Sequence, residues 1–130
     1  MLAKITVADY MATNLVTLTK DTNVIDAIKI LLDHKITSAP VMDSNGHFVG
    51  MFSEKDGLKV FLESVYDQGM GGKVGDHMST DTLSVDASSS IVDIAEKFDQ
   101  SSTRSFPAFQ DGKFIGVISR VDILRALVAL

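Results

Sequence analysis

Apolar residues recur three or four positions apart in two stretches of this chain. Residues 24–35 and 91–102 each carry such a stripe with polar residues between, which predicts two amphipathic helices. Residues 54–68 and 120–130 are also rich in apolar side chains at helical spacing and predict a second pair of helices. The hydrophobic pattern therefore predicts four helices, two in each half of the chain.

Short apolar runs between these helices predict strands. Residues 15–18 and 82–85 resemble short strands that precede the amphipathic helices. Residues 38–53 and 106–119 each consist of two apolar runs around an Asn-Gly or Asp-Gly pair, which favours a β-hairpin. Each half is thus predicted to run strand, helix, strand, strand, helix.

Identical residues occupy matching positions in the two halves, with a one-residue deletion in the hairpin turn. A duplicated unit is the simplest explanation. Because a unit of about 60 residues buries too little surface to be stable alone, the two units are expected to pack together. The matched residues include Val7/Val74, Asp9/Asp76, Met11/Met78, Ser38/Ser105, Pro40/Pro107, Gly50/Gly116, Ser53/Ser119 and Asp56/Asp122.

The predicted fold class is α/β (α+β), with two β-α-β-β-α repeats packed about a pseudo-twofold axis. We predict a first repeat at residues 1–68, a linker at 69–73 containing the sequence GMGGK, and a second repeat at 74–130. The final helix is too apolar for a free surface and is expected to pack on the other unit or on another chain.

Composition narrows the function. The chain has 130 residues, a net charge of −5 and no cysteine, which argues against bulk nucleic-acid binding, disulfides and thiolate metal sites. No signal sequence or run of about 20 apolar residues is present, so we expect a cytoplasmic protein without a membrane segment. His34, His47 and His77 show no metal-ligand spacing, and no nucleophile motif indicates an enzyme.

The phrases GMFSEKD and GVISRVD are the most informative part of the repeat. Ser53 and Ser119 lie where a strand meets a helix and are suited to cap it, while Asp56 and Asp122 have capping-box spacing. The same geometry suits a nucleotide, because a helix start with a hydroxyl binds phosphate and a carboxylate can accept both ribose hydroxyls. Both interpretations are open on residue types alone.

These duplicated phrases, the x-Pro pairs in SAP and SFP, and the lead-ins VADYM and VGDHM resemble a tandem CBS-domain pair, or Bateman module, over residues 7–125. The resemblance implies a cleft between the repeats with up to two sites for adenosine-containing ligands. It also implies that Ser53 and Ser119 contact phosphate and that Asp56 and Asp122 hold ribose.

The same resemblance implies that the residues two to four positions before each proline hold the base. Only the second repeat has a basic residue there, Arg104, which would meet phosphate, while Thr37 stands at the matching position. The two sites are therefore expected to be unequal; alternatively, Arg104 is a solvated residue at a strand end. These candidates are Ile36, Thr37 and Ser38 in the first repeat and Thr103, Arg104 and Ser105 in the second.

By this resemblance we expect a stand-alone regulatory or sensor module that performs no chemistry and requires no cofactor. It would bind AMP, ADP, ATP or a related adenosyl compound as a regulatory ligand and transmit binding by conformational change to an unidentified regulated protein. A homodimer is expected from the family and from the apolar last helix. The rival interpretation is an interaction or scaffold subunit that dimerises or binds a partner without ligand.

Overall fold

The computed structural model describes residues 2–67 and 71–130. The chain divides into two compact units. Residues Val16–Thr82 form the first, here called the first-repeat unit, and the second-repeat unit combines Met1–Leu15 with Leu83–Leu130. Of the linker predicted at residues 69–73, only Gly71–Lys73 belong to the described residues.

Six α-helices and six strands form the described part of the chain, and a 3-10 helix covers Leu2–Lys4. The helices are α1 (Val7–Tyr10), α2 (Val24–Asp33), α3 (Glu54–Asp67), α4 (Val74–His77), α5 (Ile91–Asp99) and α6 (Arg120–Val128). The strands are β1 (Leu18–Thr19), β2 (Ser38–Met42), β3 (Phe48–Ser53), β4 (Val85–Asp86), β5 (Ser105–Gln110) and β6 (Lys113–Ser119). The predicted α/β class with two β-α-β-β-α repeats is confirmed.

Each unit contains one three-stranded sheet, with the order β1-β2-β3 in the first-repeat unit and β4-β5-β6 in the second. The first two strands of each sheet are parallel, and the last two are an antiparallel hairpin. The strands predicted at 15–18 and 82–85 begin too early. Parallel pairing starts only at Leu18 and Val85 and lasts two residues in each sheet, so the preceding residues have no ladder to join.

The two hairpin predictions are confirmed, with different turns. Asp111 and Gly112 both have positive φ, 51° and 79°, which is the two-residue type I′ geometry. The first hairpin has a longer loop, in which the Asp43 carboxylate accepts hydrogen bonds from the backbone N–H groups of Asn45 (2.8 Å) and His47 (2.9 Å). Turn chemistry therefore fixes both hairpins locally.

The prolines in β2 and β5 fit the sheets because of the short parallel pairing. Pro40 lies one residue before Val41, where β2 begins to pair with β1, and Pro107 has the same relation to Ala108. A proline removes a backbone donor and is tolerated where no ladder bond is needed. Each x-Pro segment thus enters the sheet at the open end of its central strand.

Each unit has its own apolar core between its sheet and helices. The short lead-in helices α1 and α4, which the hydrophobic pattern did not predict, complete these cores. Val74 of α4 lies in the core of the first-repeat unit, and Val7 of α1 lies in that of the second-repeat unit; both are fully buried. The other buried members are Leu18, Val24, Ala27, Leu31, Ala39, Val41, Phe52 and Val60 in the first and Val85, Ile94, Phe98, Phe106, Ala108 and Ile118 in the second.

Among the described residues, no helix is both long and apolar enough to cross a membrane.

Candidate functional site

The start of α6 is a reciprocal capping box. The Asp122 carboxylate accepts hydrogen bonds through Oδ2 from the backbone N–H of Ser119 at 2.8 Å and from its hydroxyl at 3.0 Å. In return, the Asp122 backbone N–H lies 3.3 Å from the Ser119 Oγ. The capping interpretation is therefore confirmed at this helix.

The start of α3 repeats this arrangement. Asp56 Oδ2 accepts from the Ser53 backbone N–H at 2.8 Å and from the Ser53 hydroxyl at 3.1 Å. The Asp56 N–H lies 3.2 Å from Ser53 Oγ. Asp56 and Asp122 are only 8% and 5% exposed, so both carboxylates are held in place largely out of water.

The second carboxylate oxygen distinguishes the two helix starts. Asp56 Oδ1 accepts from the Ser79 hydroxyl at 3.4 Å, whereas Asp122 Oδ1 pairs with the Arg125 guanidinium at 3.1 Å. Each carboxylate oxygen can accept two hydrogen bonds, so Oδ1 retains capacity for a further donor in both units. Capping therefore does not consume the group that would face a ligand.

The x-Pro segments lie directly beside these helix starts. Ser38 pairs across the hairpin with Ser53, and Ser105 pairs with Ser119. The first residue of each helix donates its backbone N–H to the carbonyl of the residue before Ser38 or Ser105. Glu54 donates to Thr37 at 2.8 Å, and Arg120 donates to Arg104 at 3.1 Å. Each unit thus brings its own candidate residues together.

The two remaining candidates differ in environment. Ile36 is half-buried and packs against the apolar core of the first-repeat unit. Thr103 is exposed, and its backbone N–H is bonded to the Ser101 hydroxyl at 3.2 Å. Arg104 is also exposed. The first-repeat segment therefore offers an apolar side chain and the second offers polar ones.

A steric constraint explains the glycine at the start of GMFSEKD and of GVISRVD. A Cβ on Gly50 would lie 2.7 Å from the Ser79 carbonyl oxygen, and one on Gly116 would lie 2.8 Å from that of Ala12. Only glycine admits another backbone so closely. The neighbouring Met51 and Val117 form bridges with Ser79 and Ala12 at these points. Glycine therefore lets the lead-in backbone join the strand just before the capping serine.

Two contacts at the second-repeat helix start were missed by sequence reasoning. Arg125 reaches Asp122, and Arg120 reaches the carbonyls of Phe98, Ser101 and Thr103. The first was visible as an acid and a base three residues apart on one helix. The second joins residues far apart in sequence and has no local signal.

Two other carboxyl groups, outside the candidate sites, have shifted pKa values. The pKa of Asp43 is lowered, chiefly because the backbone N–H of His47 donates to it. The pKa of Asp86 is lowered, chiefly by the hydrogen bond from the Ser88 hydroxyl. Asp43 lies in the first hairpin loop and Asp86 ends β4 just before a turn, so we assign both shifts to local structure. Within the described ranges, no group of three His, Cys, Asp or Glu side chains could hold a metal ion.

The two second helices, α3 and α6, carry exposed apolar side chains. Exposure of so many large apolar groups is unusual for a free surface. We call these residues the α3 face and the α6 face. The α3 face consists of Leu58, Phe61, Leu62, Val65 and Tyr66, and the α6 face of Val121, Leu124, Leu127 and Val128 together with Leu130, which follows the helix.

Comparison with known proteins gives the structural relatives. The chain is 31% identical to CBSX2 in its crystal structure in complex with AMP, with a TM-score of 0.83 over 95% of this chain and 96% of that one. It shares the fold of the CBS domain pair of protein MJ0100, solved with 5′-methylthioadenosine and S-adenosyl-L-methionine, at 20% identity and a TM-score of 0.82 over 96% and 97% of the chains.

Among curated sequences, the chain is 29% identical to CBSX2, chloroplastic, of Arabidopsis thaliana, covering 96% of this chain and 64% of that protein. It is 20% identical to an uncharacterized protein of Methanocaldococcus jannaschii, of which it covers 42%. The chain thus spans about half the length of these relatives. The family model of the CBS domain matches twice, at residues 7–63 and 74–129. The chain belongs to the CBS domain family and contains two CBS domains in tandem.

Proposed function

We propose that this CBS pair is a regulatory module that binds an adenosine-containing ligand at its Ser-x-x-Asp helix starts. The observation that carries the proposal is geometric. In each unit a capping hydroxyl, a buried carboxylate with acceptor capacity on Oδ1 and the start of the x-Pro strand meet at one helix N-terminus. The likeness to AMP-bound CBSX2 supports AMP as the first ligand to test.

Each part has a chemical role in this proposal. The helix N-terminus suits an anionic phosphate, and the hydroxyls of Ser53 and Ser119 can donate to it by turning away from the Asp Oδ2 that accepts them in the free protein. Asp56 and Asp122 suit the ribose, because Oδ1 can accept one ribose hydroxyl and Oδ2 can accept the other once the serine hydroxyl has turned to the phosphate. The base would lie against the x-Pro segments, Ile36–Ser38 and Thr103–Ser105. ADP, ATP and related adenosyl compounds present the same ribose and base.

The role is regulatory. A ligand that binds one arrangement of the protein more tightly than another shifts the population toward it, and a partner protein can detect that shift. No step of this proposal requires a nucleophile, a metal ion or a cofactor.

Calorimetric titration tests the proposal directly. AMP, ADP, ATP and S-adenosyl-L-methionine are each titrated into the protein, with GMP and CMP as base controls. At an AMP concentration 100 times its dissociation constant, binding should stabilise the fold by about 2.7 kcal/mol in a thermal-shift assay. Absence of heat and of thermal shift with every adenosine compound at millimolar concentration would refute ligand binding.

A matched pair of variants links binding to the sites. The variants Asp56→Asn and Asp122→Asn each keep an acceptor oxygen for the cap but remove the charge. Asp56→Asn should weaken AMP binding in the first-repeat unit only, and Asp122→Asn should weaken it in the second-repeat unit only. The variant Asp43→Asn removes an equivalent charge from the hairpin loop, at the opposite end of β2 from the α3 start, and should bind AMP as the unmodified chain does.

A second function, self-association, is favoured by the α3 and α6 faces. We propose that these faces bury one another in a homodimer, because their apolar area is large for a monomer in water. Light scattering should give about twice the 14.0 kDa chain mass. A dimer that binds no adenosine compound would favour the scaffold interpretation. A monomer that binds AMP would exclude self-association and support the sensor function alone.

A further inference from the structure

The two repeats end their first helix in different ways. In the first repeat, Lys35 adopts a left-handed backbone conformation with φ 54°. This turn lets the N–H of Ile36 bond to the carbonyl of Leu31 at 3.1 Å and the N–H of Lys35 to that of Leu32 at 3.2 Å. The backbone itself therefore satisfies the last carbonyls of α2.

In the second repeat, Ser102 stands at the position of Lys35 and does not adopt the left-handed conformation. There the N–H of Ser101 bonds to the carbonyl of Phe98 at 3.2 Å, and the Arg120 side chain donates further hydrogen bonds. Its Nη2 donates to the carbonyls of Phe98 at 3.1 Å and Ser101 at 2.8 Å, and its Nε donates to that of Thr103 at 3.1 Å. The guanidinium also lies 5.8 Å from the centre of the Phe98 ring, within cation–π range.

This arrangement cannot occur in the first repeat. Glu54 occupies the position that matches Arg120. A carboxylate has no hydrogen to donate to a carbonyl, whereas a guanidinium offers five N–H groups in a rigid fork. The arginine therefore adds side-chain donors after α5 that have no counterpart in the first repeat.

Arg120 holds the candidate ligand segment from two sides. Its side chain bonds to the carbonyl of Thr103, and its backbone N–H bonds to the carbonyl of Arg104. Ser105, the next residue, is the cross-strand partner of Ser119. One residue at the helix start thus fixes the backbone of the whole segment that precedes Pro107.

We propose that Arg120 is a positioning residue that pre-orders Thr103–Ser105 for ligand binding in the second-repeat unit. This inference rests on the proposed function. A segment already fixed in its binding conformation loses less conformational entropy when the ligand arrives, so affinity is higher. Arg120 acts through the segment and does not itself touch the ligand.

The test uses the full chain carrying Asp56→Asn, so that binding reports the second-repeat site. The affinities for AMP and for adenosine are measured by titration for three proteins on this background: the one that keeps Arg120, the Arg120→Lys variant and the Arg120→Met variant. We expect about a tenfold loss of affinity for Arg120→Met, equal to about 1.4 kcal/mol. The affinity of the Arg120→Lys variant should lie between those of the Arg120 protein and the Arg120→Met variant, because one ammonium group cannot reproduce the planar fork of the guanidinium. Lys113→Met, on the exposed start of β6, is the charge control and should bind normally.

Two readouts separate positioning from other roles. Arg120→Lys keeps the charge, so it should weaken AMP and adenosine by the same factor; a loss confined to AMP would mean a direct phosphate contact and overturn the inference. In hydrogen exchange without ligand, amides of residues 101–105 should exchange faster in both Arg120 variants. Unchanged exchange, or unchanged affinity, also overturns it.

Failure of the proposed function gives a different pattern. If the unmodified chain binds no adenosine compound, the proposed function is wrong, and the exchange measurement still decides whether Arg120 orders the segment. If the unmodified chain binds AMP but the Asp56→Asn chain does not, the second-repeat unit is no ligand site, and the inference is overturned while the proposed function stands.

Discussion

The substitution Asp122→Ala separates the two roles that its carboxylate can have. One oxygen, Oδ2, accepts two hydrogen bonds from Ser119 and belongs to the helix cap. The other, Oδ1, pairs with Arg125 and retains acceptor capacity. Alanine removes both oxygens at once, so stability and binding should fall together, each by an amount set by its own contacts.

The stability cost follows from the cap. The backbone N–H of Ser119 loses a charged acceptor in a half-buried position, which costs about 1–2 kcal/mol. For a chain of this size that corresponds to a melting temperature about 4–8 °C lower. Asp122→Asn keeps an acceptor oxygen and should cost less than half as much.

The binding cost follows from the ribose. Loss of a charge-assisted contact should weaken AMP by about 1.5–3 kcal/mol, roughly ten- to a hundredfold. Titrating AMP and 2′-deoxy-AMP into the Asp56→Asn chain, with and without Asp122→Ala, completes a double-mutant cycle. In the chain that keeps Asp122, 2′-deoxy-AMP should bind more weakly than AMP. In the chain with Asp122→Ala, the two ligands should bind about equally. If the deoxy change costs the same in both proteins, Asp122 does not touch the ribose.

Three further predictions concern the fold and its surface. Gly116→Ala should lower the free energy of unfolding by about 1–3 kcal/mol, because the added Cβ would lie 2.8 Å from the Ala12 carbonyl oxygen; denaturant titration measures this, and an unchanged midpoint would contradict it. Leu124→Glu places a charge on the α6 face, where the leucine is 59% exposed, and should convert the proposed dimer to monomer in light scattering without lowering the melting temperature of the monomer; an unchanged mass would exclude Leu124 from the interface. Because hydrogen bonding lowers the pKa of Asp43 in the folded chain, its contribution is present above the pKa of the unfolded chain and is lost as the pH falls through the folded value; Asp43→Asn should remove that part of the acid dependence of stability, and an identical acid profile would show that the carboxylate contributes nothing.

The larger elements could be predicted because their causes are local. The stripes of α2 and α5 follow helical periodicity, and Asn23 and Ser90, polar residues directly before these stripes, cap the helices through their side chains. The Asp111-Gly112 pair specified its hairpin by its backbone preference. Periodicity and turn chemistry act within a few residues and are therefore readable in one sequence.

The smaller elements could not be predicted because tertiary contacts create them. Helices α1 and α4 have four residues each, too few for a periodic signal. They form because Val7 and Val74 are buried in the two cores and because Asp9 and Asp76 accept from the backbone N–H at the helix start. The aspartates of the VADYM and VGDHM lead-ins are therefore explained as helix caps.

The candidate site was predictable where the repeats agree and hidden where they differ. The paired Ser and Asp residues stood out because they occur twice, yet the cap alone accounts for their spacing. The contacts of Arg120 cross 17 to 22 residues of sequence and become visible only in the fold. Duplication thus identifies the shared scaffold, and the unmatched residues indicate what each site could prefer.

Those unmatched residues lead to a last prediction, that the second-repeat site prefers phosphate. Arg104, Arg120 and Arg125 surround the helix start in the second repeat. At the matching positions the first repeat has Thr37 and Glu54, which carry no positive charge, and Lys59, which matches Arg125 in charge. Each additional exposed positive charge near a phosphate contributes about 0.2–1 kcal/mol and is screened by salt.

The affinity ratio of AMP to adenosine measures the phosphate contribution at each site. It should be several- to tenfold larger in the Asp56→Asn chain, which reports the second-repeat site, than in the Asp122→Asn chain, by the same charge estimate. Raising the salt concentration from 0.05 to about 0.5 M should reduce the difference, because it shortens the screening length. Equal ratios in the two chains at low salt would show that Arg104 and Arg120 do not select for phosphate and that their charge is used within the fold.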